Sequence, residues 1–510
     1  MLIDVSKEPP QEGQTLKAKV CVIGGGAAGL TITRELAKVG VDVITLEGGG
    51  LKETKRSQAI YRGDNEGRKY FKLHRARRRF LGGSTNCWAG LCTPLRPSDF
   101  EKRAWVPHSG WPIGFDDVET YYQNARKILE IGPFHPQLNQ PRAEGKHLSG
   151  PGLKLDGFES VYFQMSPPVR LGKLWREELT ALKNAKVLIN ANVTHLQLRE
   201  SADSLSSVKC KVFDGPNFKV EAEYFVLACG GIENPRMLLN ARDVAKNGIG
   251  NQRDLVGRYF MEHPHIDRES LWLPGGFTPS LSHYHRRKRS GTKGRIWPYI
   301  RPSSSRLAQE EILDFSLVLF KRKNIEREEK KHPLLKIVFE SSEHLHNPRK
   351  KARALRAYTF GNPMEQSPSP ESRVSLDQGG TRDELGLIQS TLTWQLSSLE
   401  KRTLRRAHEM IAESLASKDY GRVRVTPTHN LDSFPRQTKG GYHHMGTTRM
   451  GATEQEGVVD RDSKVFGVDN LFIAGSSVFT TSGSANPTLT IVALALRLAE
   501  HLKGLSGGEK

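Results

Sequence analysis

The chain has 510 residues, of which 37% are hydrophobic and 26% are charged. This balance is typical of a globular protein of about three domain-sized units and excludes fibrous and collagen-like chains. No apolar run approaches the roughly 18 to 20 residues that span a bilayer, and the first residues lack the layout of a secretory signal, so we expect neither a transmembrane segment nor export. Five cysteines without a CxxC pair favour a reducing, cytoplasmic location over a disulfide framework.

The charge balance is strongly basic. Lys and Arg number 76 against 56 Asp and Glu, which gives a formal net charge of +20. The basic residues cluster in short segments: 75–79, 286–289, 321–323, 330–331, 349–353 and 401–406. Such a surplus attracts anionic substrates, nucleic acid, acidic proteins or membrane surfaces. No nucleic-acid recognition motif accompanies it, so a solvated basic surface is the simpler interpretation.

The first elements in chain order form a strand–helix–strand unit. An apolar strand is predicted over 17–22, and a glycine-rich turn, Gly24–Gly29, follows at once. Apolar residues at helical spacing come next, and a second apolar strand over 41–46 ends at Glu47. The turn has the spacing GxGxxG between a strand and a helix, with an acid after the second strand, which is the dinucleotide-binding fingerprint.

Each position of this fingerprint has a physical role. Gly24 permits the tight turn, Gly26 lets the backbone approach a pyrophosphate, and Gly29 lets the helix pack closely on the strand. The free N–H groups at the helix N-terminus favour the phosphates. Glu47 is placed to accept hydrogen bonds from a ribose hydroxyl. The fingerprint therefore indicates an adenine dinucleotide, without deciding between NAD and FAD.

Three later segments are also rich in small residues. The first is a loop, Gly82–Gly90, whose backbone can lie against a flat ring system. The second, Tyr224–Pro235, is a predicted strand that runs into another glycine turn and a helix. The third is the C-terminal block Gly441–Thr490, which leads into a helix predicted over 491–502.

In this order, these segments resemble the glucose–methanol–choline (GMC) oxidoreductases, a family of FAD-dependent alcohol oxidases and dehydrogenases. The resemblance also covers Val256–His265 and Glu365–Val374. Within the family, Gly446–Gly451 and Ala485–Thr490 look most like the pyranose oxidase and fructose or gluconate dehydrogenase branch. The resemblance implies an α/β fold, with a Rossmann-like FAD-binding domain and a second α+β substrate domain built on a mostly antiparallel sheet.

The same resemblance implies how the chain divides. The FAD-binding domain begins with residues 1–265, which include inserted cap segments at about 95–180. The substrate-binding domain takes residues 266–435. Residues 436–510 return to the FAD-binding domain and carry the catalytic His and Asn.

FAD is the implied cofactor, held by backbone groups and small side chains. Its expected contacts are Gly24, Gly26, Gly29, Glu47, Gly83, Ser84, Asn86, Cys87, Trp88, Ala89, Val193, Cys229, Gly230, Asn234, Gly475, Ser476, Asn486 and Thr488. Relatives can carry a His before the Trp of the loop that binds the flavin covalently, whereas this chain has Cys87 before Trp88. A thioether is chemically feasible, but a small uncharged residue beside noncovalent FAD is the simpler interpretation.

Oxidising an alcohol with a flavin requires a base for the hydroxyl proton and transfer of the carbinol hydride to flavin N5. The family places its base His three residues before a Gly-Thr pair, with a His or Asn partner further along the chain. The matching residues here are His443, before Gly446 and Thr447, and Asn486. The resemblance therefore implies His443 as the base and Asn486 as the group that stabilises the alkoxide.

The other histidines have simpler interpretations. His444 lies next to the base but outside the family's register, so we expect it to pack behind the site. The pairs His263-x-His265 and His344-x-His346 match no recognised metal motif. We therefore expect no metal site.

The expected reaction is oxidation of a secondary alcohol of a sugar, glycoside or cyclitol to a ketone, with electrons passing to oxygen, a quinone or a redox protein. Two alternatives stay open, a dehydrogenase subunit that needs a partner protein and a non-catalytic polyanion-binding protein on a flavin fold. A homo-oligomer is compatible with an oxidase and with a dehydrogenase. The basic segment 286–289 also permits an anionic sugar as substrate.

Overall fold

The computed structural model describes residues 1–133, 154–167, 169–274, 284, 287–288, 294–321, 355–420, 422–424 and 438–507. Its strands are β1 Leu2–Asp4, β2 Thr15–Ile23, β3 Val43–Glu47, β4 Gly63–Gly67, β5 Leu91–Cys92, β6 Phe158–Met165, β7 Ala185–Ile189, β8 Asn192–Leu198, β9 Leu205–Lys211, β10 Asn217–Leu227, β11 His265–Pro274, β12 Arg287–Lys288, β13 Arg295–Pro302, β14 Val318–Lys321, β15 Leu355–Pro363, β16 Arg373–Leu376, β17 Ser390–Trp394, β18 Arg422–Arg424 and β19 Leu471–Ile473. Its helices are α1 Ala27–Lys38, α2 Lys55–Ala59, α3 Leu73–Ala76, α4 Pro97–Phe100, α5 Asp116–Ile128, α6 Leu171–Leu174, α7 Arg176–Ala181, α8 Glu233–Asn240, α9 Ser304–Glu310, α10 Ser398–Ser417 and α11 Thr488–Leu505, with short 3₁₀ turns at Gly83–Asn86 and Ser476–Val478.

The main sheet is parallel at its centre. Strands β1, β7, β3, β2 and β10 run side by side in that order, and β19 joins β10 in the same direction. Strands β9 and β8 extend the sheet as an antiparallel edge. The strand–helix–strand unit predicted from the sequence is β2, α1 and β3, and the second glycine turn follows β10. This is the Rossmann-like layout expected for dinucleotide binding.

Alternate residues of the central strands enter two different cores. In β2, the side chains of Val20 and Val22 pack with α1 and α11, while Cys21 and Ile23 pack on the opposite face. Phe472 of β19 adds to the first core. Because both faces are covered there, the C-terminal parts of β2 and β10, residues 20–23 and 225–227, are apolar at every position, which is typical of a buried parallel sheet.

The register brings the carboxyl ends of the central strands to one edge. Ile23 at the end of β2 pairs with Leu46 of β3 and with Leu227 of β10, and Leu227 also pairs with Ile473 of β19. In a parallel sheet the segments that follow such ends lie together in a crevice. The glycine turn, Glu47, the turn after β10 and the segment after β19 therefore meet at this edge.

Antiparallel sheets surround this core. One has the order β14-β15-β11-β18, and another has the order β12-β13-β6-β5. A smaller sheet pairs β16 with β17 and β17 with β4. This arrangement confirms the expected fold class.

Helix α10 carries the basic segment 401–406, where Arg406 pairs with Glu310 and Glu409. In the described part of the chain, no helix combines the length and apolarity needed to cross a membrane.

Candidate active site

A cavity of about 700 Å³ lies at the carboxyl ends of the parallel strands. This volume is within the range of ligand pockets in proteins. The cavity is lined by the glycine turn after β2, the loop that follows Phe80, the turn after β10 and the segments around His443 and Asn486. The position is the one that the doubly wound sheet predicts for a ligand.

The glycines around the cavity fall into two groups. A Cβ atom on Gly29 would lie 1.9 Å from the carbonyl oxygen of Gly24, so this glycine is required for close packing of helix and strand. By contrast, Cβ atoms on Gly26, Gly230 and Gly475 would meet no protein atom within 4 Å, and all three residues line the cavity. The cavity therefore has a cradle of bare backbone, into which the pyrophosphate of an FAD fits.

Glu47 faces the cavity at the end of β3 and is 6% exposed. Its carboxylate accepts hydrogen bonds from the N–H groups of Gly25, at 2.9 Å, and Gly49, at 2.7 Å. Burial raises the pKa of Glu47, while these hydrogen bonds and the nearby Arg79 lower it. The N-terminus of α1 has no side-chain cap. A buried acceptor beside free N–H donors suits the ribose and phosphates of FAD.

Most of the expected cofactor contacts line the cavity: Gly24, Gly26, Glu47, Gly83, Ser84, Cys87, Trp88, Ala89, Val193, Cys229, Gly230, Gly475, Ser476, Asn486 and Thr488. Gly29, Asn86 and Asn234 do not. Asn86 donates to the carbonyl oxygens of Leu81 and Gly83. Asn234 accepts the N–H of Cys229 at 2.7 Å and donates to Ser477, so these asparagines hold the loops that form the cradle.

The basic segment 75–79 also lies at the cavity. Arg75, Arg77, Arg78 and Arg79 all contribute to its lining. The guanidinium of Arg77 pairs with Glu233, and that of Arg79 donates to Gly48 and Asn192. Part of the surplus of positive charge thus lies beside the cofactor cradle. The segment 286–289 has only its two central residues described, as β12, and segments 330–331 and 349–353 lie outside the described residues.

Two pairs of backbone hydrogen bonds bring His263 and His443 together. Met261 and Met445 exchange hydrogen bonds of 2.9 and 3.0 Å, and His265 and Lys439 exchange bonds of 2.8 and 3.2 Å. The segment before β11 therefore lies antiparallel to the segment that carries His443. This pairing places His263 beside His443, although the two are far apart in the sequence.

Each of the two ring nitrogens of His443 contacts another side chain. Its Nδ1 lies 2.9 Å from Nδ1 of His263, and its Nε2 lies 3.2 Å from Nδ2 of Asn486. On the other side of its ring, His263 Nε2 lies 2.8 Å from the carbonyl oxygen of Gly483 and 3.3 Å from that of Ser482.

These contacts fix the positions of the protons. Carbonyl oxygens only accept, so Nε2 of His263 carries a proton, and burial lowers the pKa of this histidine to about 4. Its Nδ1 is therefore unprotonated and accepts a hydrogen bond from the N–H at Nδ1 of His443. The pKa of His443 is held well below its usual 6.5 by burial and by the neighbouring histidines, so its Nε2 is unprotonated. The lone pair on Nε2 is directed toward the cavity and accepts a hydrogen bond from the amide of Asn486.

Glu262 organises this arrangement from behind. It is fully buried, and four donors meet its carboxylate. One donor is the Tyr70 hydroxyl. The other three are backbone N–H groups, those of Gly441 at 2.8 Å, His443 at 3.0 Å and His263 at 2.9 Å. Burial raises the pKa of Glu262 to about 7, whereas the donated hydrogen bonds favour its ionised form. The carboxylate ties both histidine segments together.

His444 also lines the cavity, where its side chain contacts Tyr70 rather than His263 or Asn486. Its Nε2 lies 3.0 Å from the hydroxyl of Tyr70, and burial lowers its pKa to about 3. The segment that carries Asn486 is anchored separately, since Ser484 donates to Asp314 at 2.7 Å and Arg96 pairs with the same carboxylate.

Sequence reasoning did not assign the roles of Glu262 and His263. The pair His263-x-His265 was considered only as a metal motif, yet His263 contacts the base and His265 lines the cavity. The run Glu262-His263-Pro264, within a segment that resembles the family, was the available signal. Within the described residues, no group of three or more His, Cys, Asp or Glu could hold a metal ion. His344 and His346 lie outside those residues.

Comparisons with known proteins identify the cofactor and the class of reaction. Residues 368–495 match a family model described as GMC oxidoreductase, and residues 19–250 match one described as FAD dependent oxidoreductase. The fructose dehydrogenase large subunit of Gluconobacter japonicus is 23% identical over an alignment 574 residues long, which covers 96% of this chain and 98% of that protein. The C-glycoside 3-oxidase of Arthrobacter globiformis is 35% identical over 133 residues, which are 26% of this chain and 24% of the relative.

Solved structures show the same fold. A variant of the formate oxidase of Aspergillus oryzae RIB40 superposes with a TM-score of 0.54 and 16% identity, over 97% of this chain and 99% of the other. The match confirms the fold class. The family models and relatives confirm the expected cofactor and the expectation of an alcohol oxidase or dehydrogenase. The chain is thus an FAD-dependent oxidoreductase that is similar to the GMC family, whose C-terminal family model matches residues 368–495.

Proposed function

We propose that this protein oxidises a secondary alcohol of a sugar, glycoside or cyclitol to the ketone. The observation that carries the proposal is the convergence of Nε2 of His443 and the amide of Asn486 in the same cavity as the cofactor cradle. A base and a hydrogen-bond donor side by side are what removal of a hydroxyl proton requires. The names of the relatives, a fructose dehydrogenase and a C-glycoside 3-oxidase, support a sugar as substrate.

The residues divide the work as follows. The substrate hydroxyl takes the place of the Asn486 amide on the Nε2 lone pair of His443, which removes the hydroxyl proton as the carbinol hydrogen leaves. Asn486 has two N–H donors, so the amide released from His443 can donate to the developing alkoxide. Once protonated, His443 holds one proton on each nitrogen, with Nδ1 still bonded to His263. Bound FAD supplies the acceptor for the carbinol hydride.

The cofactor contacts follow from the cradle. Backbone N–H groups at the start of α1 bind the pyrophosphate, and Glu47 binds a ribose hydroxyl. The N-terminus of α11 lies just after Asn486 and has no side-chain cap, so its free N–H groups favour negative charge at the ring system. Cys87 is exposed and lines the cavity, and we propose that FAD is held noncovalently beside it.

Anaerobic titration of the purified, FAD-loaded protein tests this function. A panel of hexoses, O- and C-glycosides and cyclitols is added, and the visible absorbance of the flavin is followed. We expect one of these classes to bleach the flavin, with a ketosugar as product in mass spectrometry. If none of them bleaches a fully loaded protein, the proposed substrate class is wrong.

The same experiment separates the electron acceptors. Admission of air after bleaching restores the absorbance rapidly in an oxidase and slowly in a dehydrogenase, for which a quinone or redox protein is then supplied. The relative named as a large subunit keeps the partner-dependent dehydrogenase as the second candidate. The polyanion-binding alternative is disfavoured by the ordered donors and acceptors around His443, since that role has no use for a positioned base.

A further inference from the structure

Tyr442 has a backbone conformation that few side chains adopt. Its φ is +64°, in the left-handed region, where non-glycine residues are uncommon and cluster at functional sites. The N–H groups on either side of it, those of Gly441 and His443, both donate to Glu262. This buried carboxylate therefore holds the turn and sets the direction of the tyrosine side chain.

The Tyr442 ring is exposed to solvent rather than buried. It is 52% exposed, more than any other large hydrophobic side chain among the residues described. It stacks on Phe71 with a centroid distance of 4.1 Å and an interplanar angle of 18°, and Phe71 meets Tyr70 edge-on at 5.3 Å. Tyr442 lines the same cavity as His443, the residue that follows it.

We propose that the stacked pair of Tyr442 and Phe71 is the binding platform for the apolar face of the substrate's pyranose ring, next to the base. This inference rests on the proposed function. The face of an aromatic ring is negative and attracts the C–H hydrogens that one face of a pyranose presents. The chemistry of proton removal leaves this ring without another use.

The strained backbone has a consistent explanation under this proposal. A tyrosine there costs stability relative to glycine, so the ring must be needed where it points. Phe71 supports the platform from below, which fixes the plane of Tyr442 before substrate arrives. A ring held in advance loses little freedom on binding.

The test compares variants by anaerobic stopped-flow reduction over a range of sugar concentrations, which gives an apparent Kd and a limiting rate. Tyr442→Gly deletes the ring and suits the left-handed backbone, so it is not expected to unfold. Tyr442→Phe keeps the platform, and Phe71→Ala removes its support. Leu505→Ala removes an exposed apolar side chain at the end of α11 and serves as the control. Flavin content and circular dichroism establish that each variant is folded and loaded.

We expect Tyr442→Gly to raise the apparent Kd by about three- to tenfold, with a limiting rate within about threefold of wild type. Leu505→Ala should leave the Kd unchanged, whereas Tyr442→Phe, which keeps the ring, and Phe71→Ala, which removes its support, should each raise it less than Tyr442→Gly. The rise should be equal for a methyl and an aryl glycoside. A rise confined to the aryl glycoside would overturn the assignment to the sugar ring, and an unchanged Kd in Tyr442→Gly would overturn the platform. If no sugar reduces the wild-type flavin, the proposed function fails and the platform fails with it.

Discussion

The Nδ1 atoms of His263 and His443 lie 2.9 Å apart, and this contact determines which nitrogen of His443 is left with a lone pair. Two ring nitrogens can share a hydrogen bond only if one of them is protonated. Because the carbonyl of Gly483 requires a proton on the far side of His263, the shared proton belongs to His443. The lone pair of His443 is thereby directed to Asn486 and the cavity.

The first prediction concerns the pH dependence of substrate oxidation. A base acts in its neutral form, and burial holds the pKa of His443 well below 6.5. The limiting rate of anaerobic reduction should therefore be independent of pH between about 6 and 8 and fall only in more acidic solution. Stopped-flow reduction across this range measures the profile. A midpoint at or above 6.5 would show that the environment does not keep His443 neutral.

Asn486→Asp should move that profile. A carboxylate beside Nε2 of His443 favours the protonated ring, so the acid limb should shift to higher pH by about one unit or more. Asn486→Ala is the matched control, because it removes the hydrogen-bond donor without adding charge. Both variants should slow reduction and retain FAD. Identical pH midpoints in the two variants would mean that residue 486 does not face the base.

His263→Phe should slow reduction by about 10- to 100-fold, the range for losing a residue that orients a functional group. The ring volume is kept, but Nδ1–H of His443 loses its acceptor, so the alternative tautomer becomes accessible. His263→Gln restores an acceptor and should recover part of the rate. His444→Phe is the control, since His444 bonds to Tyr70 instead of the base. Equal losses in His263→Phe and His444→Phe would argue against a role in setting the tautomer.

Two glycines of the same turn should respond differently to alanine. Gly26→Ala leaves the fold intact, because its Cβ meets no protein atom, but it fills the cradle and should weaken FAD binding at least tenfold. Gly29→Ala forces a Cβ to 1.9 Å from a carbonyl oxygen and should destabilise the protein by about 1–3 kcal/mol. Thermal unfolding and flavin titration separate the two effects. Wild-type FAD affinity in Gly26→Ala would place the pyrophosphate elsewhere.

The sequence was informative wherever local pattern determines structure. The apolar strands, the glycine turn and Glu47 predicted the nucleotide site because spacing alone fixes the geometry of a strand, turn and helix. Helix α11 begins three residues earlier and ends three residues later than predicted, at Thr488 and Leu505, because apolar periodicity locates a helix without fixing its ends. The resemblance supplied His443 and Asn486, whose contact at 3.2 Å is a feature of the structure.

The remaining part of the site depends on contacts between distant segments. Glu262 reaches the backbone N–H of His443 because the segment before β11 pairs with the segment around His443, and Tyr70 contacts Glu262 from a third segment. No periodicity in the sequence predicts either contact. The strained φ of Tyr442 likewise follows from hydrogen bonds to Glu262. The division into 1–265, 266–435 and 436–510 stays a prediction.

The most direct measurement is anaerobic stopped-flow reduction of FAD-loaded wild type and His443→Ala by the sugar that bleaches the wild-type flavin. Loss of a positioned base should slow the limiting rate by about 10² to 10⁴ with FAD still bound. This result would establish His443 as the base. A His443→Ala variant that is fully loaded and reduced at the wild-type rate would contradict the account.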